Sequence, residues 1–500
     1  MNFELLMFMF YFAAMLGIGI FFFFKSKDSG EKDYFLGGRS MGPWVTAMSA
    51  QASDMSAWLL MGLPGSIMAF CFGQAWTGIG FALGTAANWI LVAKRLRCFS
   101  AAADDAITLP QYLSNRFASK NPALKIICAV IFLVFFTIYV ASSFVAGTSV
   151  FTTIFPQLST NVAMLIFVAI LLLYTFLGGF KAVCWTDFFQ GMLMLVALLA
   201  VPIAILFFKD LDTSALSTVF VNAKDGTEYE FVQSFFEADA KDIISGLSWG
   251  LGYFGMPHIL VRFMSIEKPS MVKKSAIVAV VWVVITLSAT ILIAYFGRML
   301  VGEELLVNGQ QEMIFIELAR DLFPAAVSGI LMAAIIAASM STADSQLLVA
   351  SSSFTSDIYK PVFRKNASDK EILWIGRAVV VIVTVVAYFI ASSKGKGAQA
   401  IMDMVGNAWG GFGSAFGPVI ILSLFWKRFT YKGALAGIIG GAVVDVVWLL
   451  YLNESTGIYE LLPGFAAGLL VAIVVSLIDK KPSAEVEAIY ARATDKSIDD

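Results

Sequence analysis

Charged side chains are scarce in this chain of 500 residues. Asp, Glu, Lys and Arg make up 14% of it, whereas a soluble protein usually contains about a quarter. Hydrophobic residues reach 59%, and the mean hydropathy is +0.81. Because so few polar residues cannot cover the surface of soluble domains, the composition indicates an integral membrane protein embedded in a lipid bilayer.

Histidine and cysteine are also rare, which excludes several classes of site. The one histidine, His258, cannot form an HExxH zinc site, and the four cysteines form no CxxC pair. A net charge of −2 provides no basic field for nucleic acid. We find no Walker motif, no GxGxxG after a strand and no nucleophile–base pair. We therefore expect neither an enzyme nor a directly ATP-driven pump, and no organic cofactor, nucleic-acid partner or obligate protein partner.

Long apolar runs fill most of the chain. A helix needs roughly 20 apolar residues to cross the bilayer, and we count thirteen such runs. They cover residues 3–24, 43–70, 73–93, 124–154, 160–180, 187–208, 242–261, 274–297, 325–356, 372–393, 398–426, 433–452 and 460–478. The expected fold class is therefore an all-α integral membrane protein.

The basic residues predict which way the chain is inserted. With the N-terminus outside, 27 of the 34 Lys and Arg residues fall on the cytoplasmic side and 7 fall outside. This excess agrees with the positive-inside rule. The sequence therefore predicts a multi-pass protein of the inner (plasma) membrane, with its N-terminus outside and its C-terminus in the cytoplasm.

Two of the thirteen runs have the composition of broken helices. The second carries Asp54 among hydroxyl residues, and the seventh has four glycines and a proline between Gly246 and Pro257. Paired interrupted helices are typical of secondary transporters with a site at mid-membrane. An acid at this depth costs several kcal/mol unless it is paired or functional, so Asp54 is the first candidate residue. The alternative is that Asp54 only caps the second half-helix.

The interrupted spans are five apart, so each can begin a unit of five, and an odd number of spans makes the two units inverted. The predicted segments are 1–42 (first helix and loop), 43–208 (first repeat), 209–241 (acidic outer loop), 242–426 (second repeat), 427–479 (spans 12 and 13) and 480–500 (tail). The repeat rests on the spacing of the spans.

The ninth run contains hydroxyl groups that share one helical face. Ala338, Ser341 and Thr342 follow the i, i+3, i+4 spacing. Together with carbonyls freed by a helix break, these hydroxyls could surround Na⁺ without a carboxylate. The alternative is that they bond to carbonyls of the preceding turn, as membrane Ser and Thr often do.

Seven stretches carry a resemblance to a known family. They are DYFLGGRS (33–40), ASDMSAWLLMGLPG (52–65), FTIY (136–139), YTFLGGF (174–180), SWGLGYFGMPHIL (248–260), MSTADSQLL (340–348) and GGFGSAFGP (410–418). Through them the chain resembles the sodium/solute symporter family over essentially its whole length, and most of all the sodium/proline symporters of that family. The resemblance implies a LeuT-type core of five plus five helices, with one further helix before it and two after.

The resemblance also implies the roles of individual residues. It places Na⁺ on the main-chain oxygens of Ala52, Met55 and Ala338 and the hydroxyls of Ser341 and Thr342. It assigns proline binding to a second set, which comprises Ser56, Tyr139, Trp249, Tyr253 and Pro257. It assigns coupling or gating to a third set, which comprises Asp54, Arg39, Asp187 and Arg377.

The expected function is Na⁺-coupled uptake of L-proline by alternating access, with Na⁺ as the co-transported ion. Two alternatives stay open at this point. One is a symporter of the same fold that uses Na⁺ or H⁺ and carries a vitamin, a sugar or sialic acid. The other is a transporter-like sensor, which the short tail after Leu477 disfavours because it leaves no room for a signalling domain.

Overall fold

The computed structural model describes residues 3–25, 30–177, 179–231, 234–395 and 397–495. Parts of the predicted first loop (26–29), of the fifth span (178) and of the tail (496–500) lie outside these ranges. Within these ranges, the N-terminal half contains ten α-helices, which are α1 (Phe3–Lys25), α2 (Glu31–Leu36), α3 (Pro43–Asp54), α4 (Leu63–Phe70), α5 (Ala75–Ala87), α6 (Lys94–Ala102), α7 (Leu109–Arg116), α8 (Ala123–Ile154), α9 (Thr160–Leu177) and α10 (Phe180–Phe208).

The C-terminal half contains eleven more helices among the residues described. They are α11 (Ala240–Ser248), α12 (Pro257–Ser265), α13 (Val272–Val307), α14 (Ile314–Leu322), α15 (Ala325–Ser353), α16 (Asp369–Lys394), α17 (Ala400–Phe425), α18 (Tyr431–Tyr451), α19 (Asn453–Thr456), α20 (Leu461–Ile478) and α21 (Ala484–Thr494). Two short antiparallel strands, β1 (Phe220–Val221) and β2 (Glu228–Tyr229), pair in the loop after α10.

Ten helical segments in the described part of the chain are long and apolar enough to cross a membrane. They are Phe3–Phe21, Ala75–Ala102, Ala123–Ile154, Phe180–Phe208, Pro269–Val307, Ala325–Phe363, Asp369–Lys394, Ala400–Phe425, Tyr431–Tyr451 and Leu461–Ile478. The protein is thus a multi-pass helical membrane protein. Helices suit this environment because they satisfy their own backbone hydrogen bonds where no water is available.

Three predicted spans are not among these ten, each for a local reason. The runs 43–70 and 242–261 are split into the short helices α3 and α4, and α11 and α12. The run 160–180 corresponds to α9, and the next helix begins at Phe180 rather than at the predicted 187. The apolar part of α9, Thr160–Phe176, is shorter than any of those ten segments.

Helices α15 and α17 are the most buried of the ten segments and form the centre of the molecule. Helix α15 packs against α8, α1 and α10, while α17 packs against α8, α18 and α20. The interrupted helices lie against this centre, since α3 contacts both α10 and α15. A helix that is surrounded by others has no solvent-facing polar stripe, and the polar groups of α15, such as Ser341 and Thr342, are buried as well.

Glycines allow α5 to touch the second interrupted span backbone to backbone. A Cβ atom on Gly84 would lie 2.3 Å from the carbonyl oxygen of Gly250, and one on Gly80 would lie 2.3 Å from that of Gly246. Two helices can approach this closely only where neither carries a side chain. The glycines therefore fix α5 directly against the unwound segment.

We predict that Gly84→Ala lowers the stability of the folded protein by about 1–3 kcal/mol, because the added methyl group overpacks this contact. Gly17→Ala is the matched control, since a Cβ there would meet none of the described atoms within 4 Å. The control should be neutral or slightly stabilising, because alanine favours helix. Thermal unfolding in detergent measures both, and equal midpoints for the two variants would contradict the prediction.

Candidate functional site

The first interruption lies at mid-span, directly after Asp54. Helix α3 ends at this residue, and Met55 leaves the helical region with φ −78° and ψ 74°. The helix resumes through a π-helical turn, Trp58–Gly62, before α4. All these residues are buried, so the break exposes backbone polar groups in the interior of the membrane protein.

Three of the five expected Na⁺ ligands lie together where α15 crosses this break. The Ser341 hydroxyl donates to the carbonyl oxygen of Ala52 over 2.7 Å and lies 3.2 Å from that of Ala338. Thr342 Oγ1 is buried and makes no hydrogen bond to any residue that the structure describes. Met55 lies three residues beyond Ala52 in the interruption. Hydroxyl and carbonyl oxygens are the donors that hard cations prefer.

Asp54 connects the break to two of the expected proline-binding residues. Its Oδ2 accepts a 2.5 Å hydrogen bond from the Tyr253 hydroxyl. Its backbone oxygen accepts from the Tyr139 hydroxyl at 3.3 Å and from Trp58 Nε1 at 3.1 Å. The other carboxylate oxygen, Oδ1, is buried without a partner in the described ranges. Asp54 thus holds both interrupted spans and α8 together.

The second interruption consists of a 3-10 turn, Trp249–Phe254, followed by two non-helical residues. Pro257 is the first residue of α12 and is buried. Proline suits this position because it needs no N–H partner at the start of a helix. Ser56 lies in the other interruption, where its Oγ accepts from the Trp58 backbone N–H at 3.4 Å.

Trp249 and Tyr253 belong to a group of six aromatic side chains, which we call the aromatic cluster. Its members are Trp58, Phe81, Trp249, Tyr253, Trp409 and Tyr459. The Trp249 ring stacks on Tyr459 with 4.5 Å between centroids and 13° between planes. Phe81 lies at the centre, with its ring centroid 4.4 Å from that of Trp58. The cluster forms an apolar wall beside the Asp54 carboxylate.

Two residues that the sequence did not predict as part of the site stabilise the second interruption. Asn88 Nδ2 donates to the carbonyl oxygen of Tyr253 over 3.0 Å, and Trp409 Nε1 donates to that of Trp249 over 2.8 Å. These side chains satisfy carbonyls that an intact helix would have bonded. Asn88 could have been noticed in the sequence as a polar amide within an apolar run. Nothing in the sequence connects Trp409 with Trp249, which lies 160 positions earlier.

Asp187 forms a buried ion pair with Arg262. The Arg262 guanidinium lies 2.9 Å from Asp187 Oδ2, and the two side chains are 1% and 0% exposed. The same guanidinium donates to Ser49 Oγ at 2.7 Å and to Ser345 Oγ at 2.5 Å. The predicted seventh span ended at residue 261, which would leave Arg262 in a loop, but the structure places Arg262 within α12 beside its buried partner. We call these four residues the ion-pair network.

The other two expected gating residues lie apart from this network. Arg39 donates to Asp105 Oδ1 at 2.7 Å and to the Met264 carbonyl at 2.5 Å. Arg377 lies on α16, with its guanidinium 4.9 Å from the Trp374 ring centroid. Burial acts to raise the pKa of Asp105, but Lys32 and Arg39 hold it below its usual range. The structure therefore does not bring Arg39, Asp187 and Arg377 into one cluster.

Glu312 is a further buried acid that the sequence analysis missed. Its carboxylate oxygens accept from the backbone N–H groups of Ile401 and Met402 at 3.1 and 3.0 Å. Both N–H groups belong to the first turn of α17, where they have no partner within the helix, so Glu312 caps that helix from another part of the chain. Burial raises its pKa to about 8, although the two N–H groups act to lower it. The loop before α14 is thereby fastened to α17.

Two interrupted helices that meet at a buried, oxygen-rich site define a secondary transporter. Residues 34–441 match the sodium:solute symporter family. A sodium/proline symporter of Haemophilus influenzae is 42% identical over 500 residues, covering 98% of this chain and 97% of the relative. The osmoregulated proline transporter OpuE of Bacillus subtilis is 41% identical over 474 residues, covering 95% and 94%. The chain therefore belongs to the sodium:solute symporter family.

Solved structures show the same fold at lower sequence identity. A Na⁺-coupled sialic acid symporter in a substrate-bound, outward-open state matches with a TM-score of 0.75 and 19% identity, covering 96% of this chain and 98% of the other. Mhp1, a nucleobase-cation-symport-1 family transporter, matches with a TM-score of 0.55 and 15% identity, covering 92% and 98%. These are LeuT-fold transporters, which agrees with the fold expected from the resemblance.

We predict that Arg262→Gln destabilises the protein by about 3–5 kcal/mol, because it leaves the Asp187 carboxylate buried without a positive partner. The double variant Arg262→Met/Asp187→Leu removes both charges and should recover most of the folded yield. Thermal unfolding and gel filtration in detergent give the comparison. A double variant as unstable as Arg262→Gln would show that the ion pair is not the source of the loss.

Proposed function

We propose that this chain is a Na⁺-coupled symporter that moves L-proline into the cell by alternating access. The observation that carries the proposal is that both interrupted spans meet at Asp54. This residue lies two positions after Ala52, whose carbonyl oxygen accepts the hydrogen bond from Ser341. Membership of the sodium:solute symporter family and the proline-transporting relatives support the choice of ion and solute.

The proposed Na⁺ site consists of the backbone oxygens of Ala52, Met55 and Ala338 and the hydroxyls of Ser341 and Thr342. The short Ser341–Ala52 hydrogen bond places two of these oxygens close enough to bind one ion. The unpartnered hydroxyl of Thr342 adds a third donor. Na⁺ bound here would connect α15 to the interruption after α3 more strongly than one neutral hydrogen bond does.

The proposed proline site lies between the two interruptions, next to the aromatic cluster. Trp249 and Tyr253 provide apolar faces for the pyrrolidine ring, while Tyr139, Ser56 and Pro257 complete the enclosure. The free backbone N–H groups at the start of a half-helix favour the substrate carboxylate. Because Asp54 bonds Tyr253 and its neighbours bind the ion, Na⁺ binding in this scheme positions the wall that contacts proline.

The proposal also includes the number of spans, the repeats and the orientation of the termini. We infer thirteen spans, with inverted repeats at 43–208 and 242–426, an outer N-terminus and a cytoplasmic C-terminus. The interruptions then occupy the first span of each repeat. Arg39 and Arg377 lie toward the predicted cytoplasmic side, where the Arg39–Asp105 contact would have to open during release.

The driving force is sufficient for concentrative uptake. One charge that crosses about 100 mV supplies roughly 2.3 kcal/mol, and a tenfold Na⁺ gradient adds about 1.4 kcal/mol. Their sum sustains a proline gradient of a few hundredfold at one Na⁺ per proline.

Uptake of labelled proline into vesicles that contain the purified protein tests the proposal directly. Uptake should require an inward Na⁺ gradient at fixed pH and should be blocked by excess unlabelled proline. Sugars, vitamins and sialic acid at the same concentration should not compete. Proline uptake that persists unchanged without Na⁺ would refute the coupling, and stronger competition by another solute would refute the substrate.

We predict that Ser341→Ala combined with Thr342→Ala raises the Na⁺ concentration for half-maximal uptake at least about tenfold, because two oxygen donors to a charged ion are lost. Ser339→Ala is the matched control. The Ser339 hydroxyl bonds to the Ile335 carbonyl of its own helix at 2.9 Å, so its removal should leave the Na⁺ dependence unchanged. An unaltered Na⁺ dependence in the double variant would remove both hydroxyls from the proposed site.

We predict that Trp249→Ala raises the proline concentration for half-maximal uptake roughly 10- to 100-fold, the equivalent of losing the burial of one large apolar side chain. Trp185→Ala is the control, because Trp185 lies on α10 and is 38% exposed toward the lipid. Equilibrium binding of labelled proline at saturating Na⁺ separates recognition from turnover. Unchanged proline binding would assign Trp249 to packing alone.

A further inference from the structure

An apolar groove of about 450 Å³ lies on the outer surface of the helix bundle, and none of its lining residues belongs to the two interruptions. It is bounded by α8, α16 and the π-helical segment Phe354–Phe363, which continues α15. Leu133, Phe363, Ala378 and Ile382 are among its lining residues. All its accessible surface is apolar, so the groove suits a hydrocarbon chain and not a polar solute.

The π-helical segment explains why the groove exists. Its backbone turns are wider than those of an α-helix, and Pro361 within it removes one backbone donor. The segment contacts both α8 and α16 but does not fill the space between them. Near the middle of the segment, the Tyr359 hydroxyl donates to Glu371 on α16 over 2.6 Å. The gap that remains between the three helices is the groove.

The groove lies within one leaflet of the bilayer. Trp374 is 57% exposed near the start of α16, and exposed tryptophans mark the membrane interface. Ala378 and Ile382 follow one and two turns later, about 6 and 12 Å deeper along the helix. This is the depth of the upper acyl chain, on the side that the charge distribution predicts to be cytoplasmic.

The segment around and after Phe363, at one end of the groove, is rich in basic residues, of which Lys360 is paired with Glu31 at 2.6 Å. Residues 360–377 contain five basic and two acidic side chains. Arg364 is 63% exposed even though it lies 3.3 Å from Glu371, and Lys365 and Lys370 are exposed beside it. An apolar groove at acyl-chain depth, next to exposed basic residues, matches a lipid that has a negatively charged headgroup.

We propose that this groove is a binding site for an anionic phospholipid, with one acyl chain between α8 and α16 and the headgroup on Arg364 and Lys365. The site goes beyond the transport function, since no step of proline or Na⁺ binding uses it. Because the π-helical segment is the continuation of α15, the bound lipid would pack against the end of the helix that carries Ser341 and Thr342.

Native mass spectrometry of the purified full chain tests the proposal. The protein is incubated in detergent with equal amounts of dioleoyl phosphatidylglycerol and dioleoyl phosphatidylcholine. We expect selective retention of one phosphatidylglycerol. Arg364→Gln/Lys365→Gln should lower its affinity about fivefold or more, since each basic side chain near an anionic headgroup contributes about that factor. Lys480→Gln/Lys481→Gln, an exposed basic pair in the tail, is the matched control.

A second variant tests the groove itself without changing charge. Ala378→Trp fills the acyl-chain position and should abolish retention of the lipid, whereas Val443→Trp, on the exposed face of α18, should not. Thermal unfolding confirms that each variant is folded. Equal retention of both lipids by the unmodified protein, or retention of phosphatidylglycerol that neither Ala378→Trp nor the charge variant weakens, would overturn the proposal.

Discussion

The bond between the Tyr253 hydroxyl and the Asp54 carboxylate is the contact on which the site depends. It joins the two interrupted spans, because Asp54 ends α3 at the first interruption and Tyr253 lies in the 3-10 turn of the second. A carboxylate at this depth is costly without partners, and the Tyr253 hydroxyl offsets part of that cost at Asp54 Oδ2, while Oδ1 has no partner among the described residues. The same residue brings its backbone oxygen to Tyr139 and Trp58. The ion and solute sites that we propose therefore share a single residue.

Interrupted helices in a membrane require other groups to satisfy their free carbonyls. The chain meets this requirement with side chains from neighbouring helices, such as Asn88 and Trp409, and with glycines that let α5 approach closely. These groups also fix the direction of each freed oxygen. The ligand site is thus produced by the same contacts that keep the break stable, and no separate scaffold is needed.

The sequence predicted the membrane class, most spans and both interruptions, because apolar length and Gly/Pro composition are local properties. The family motifs supplied the site residues near each break. What it missed depends on long-range contacts. From the sequence alone, Arg262 resembles a loop cation and Glu312 a loop acid. Only the fold shows that Arg262 pairs with Asp187 and that the Glu312 carboxylate accepts a hydrogen bond at the start of α17. The start of α10 was misplaced because Lys181 suggests a loop, although it lies in the first turn of the helix.

The ion-pair network has a consequence for how the protein changes shape. Ser49, Asp187, Arg262 and Ser345 lie on α3, α10, α12 and α15, so one guanidinium fastens four helices. If α3 and α12 separate from the other two helices, a charge loses its partner in a dry interior, which is far more costly than the loss of an apolar contact. The free-energy cost of such a movement falls only when solvent reaches the guanidinium as the helices separate. Hydration of Arg262 would then accompany such a movement, and its rate should depend on how easily water enters between these helices.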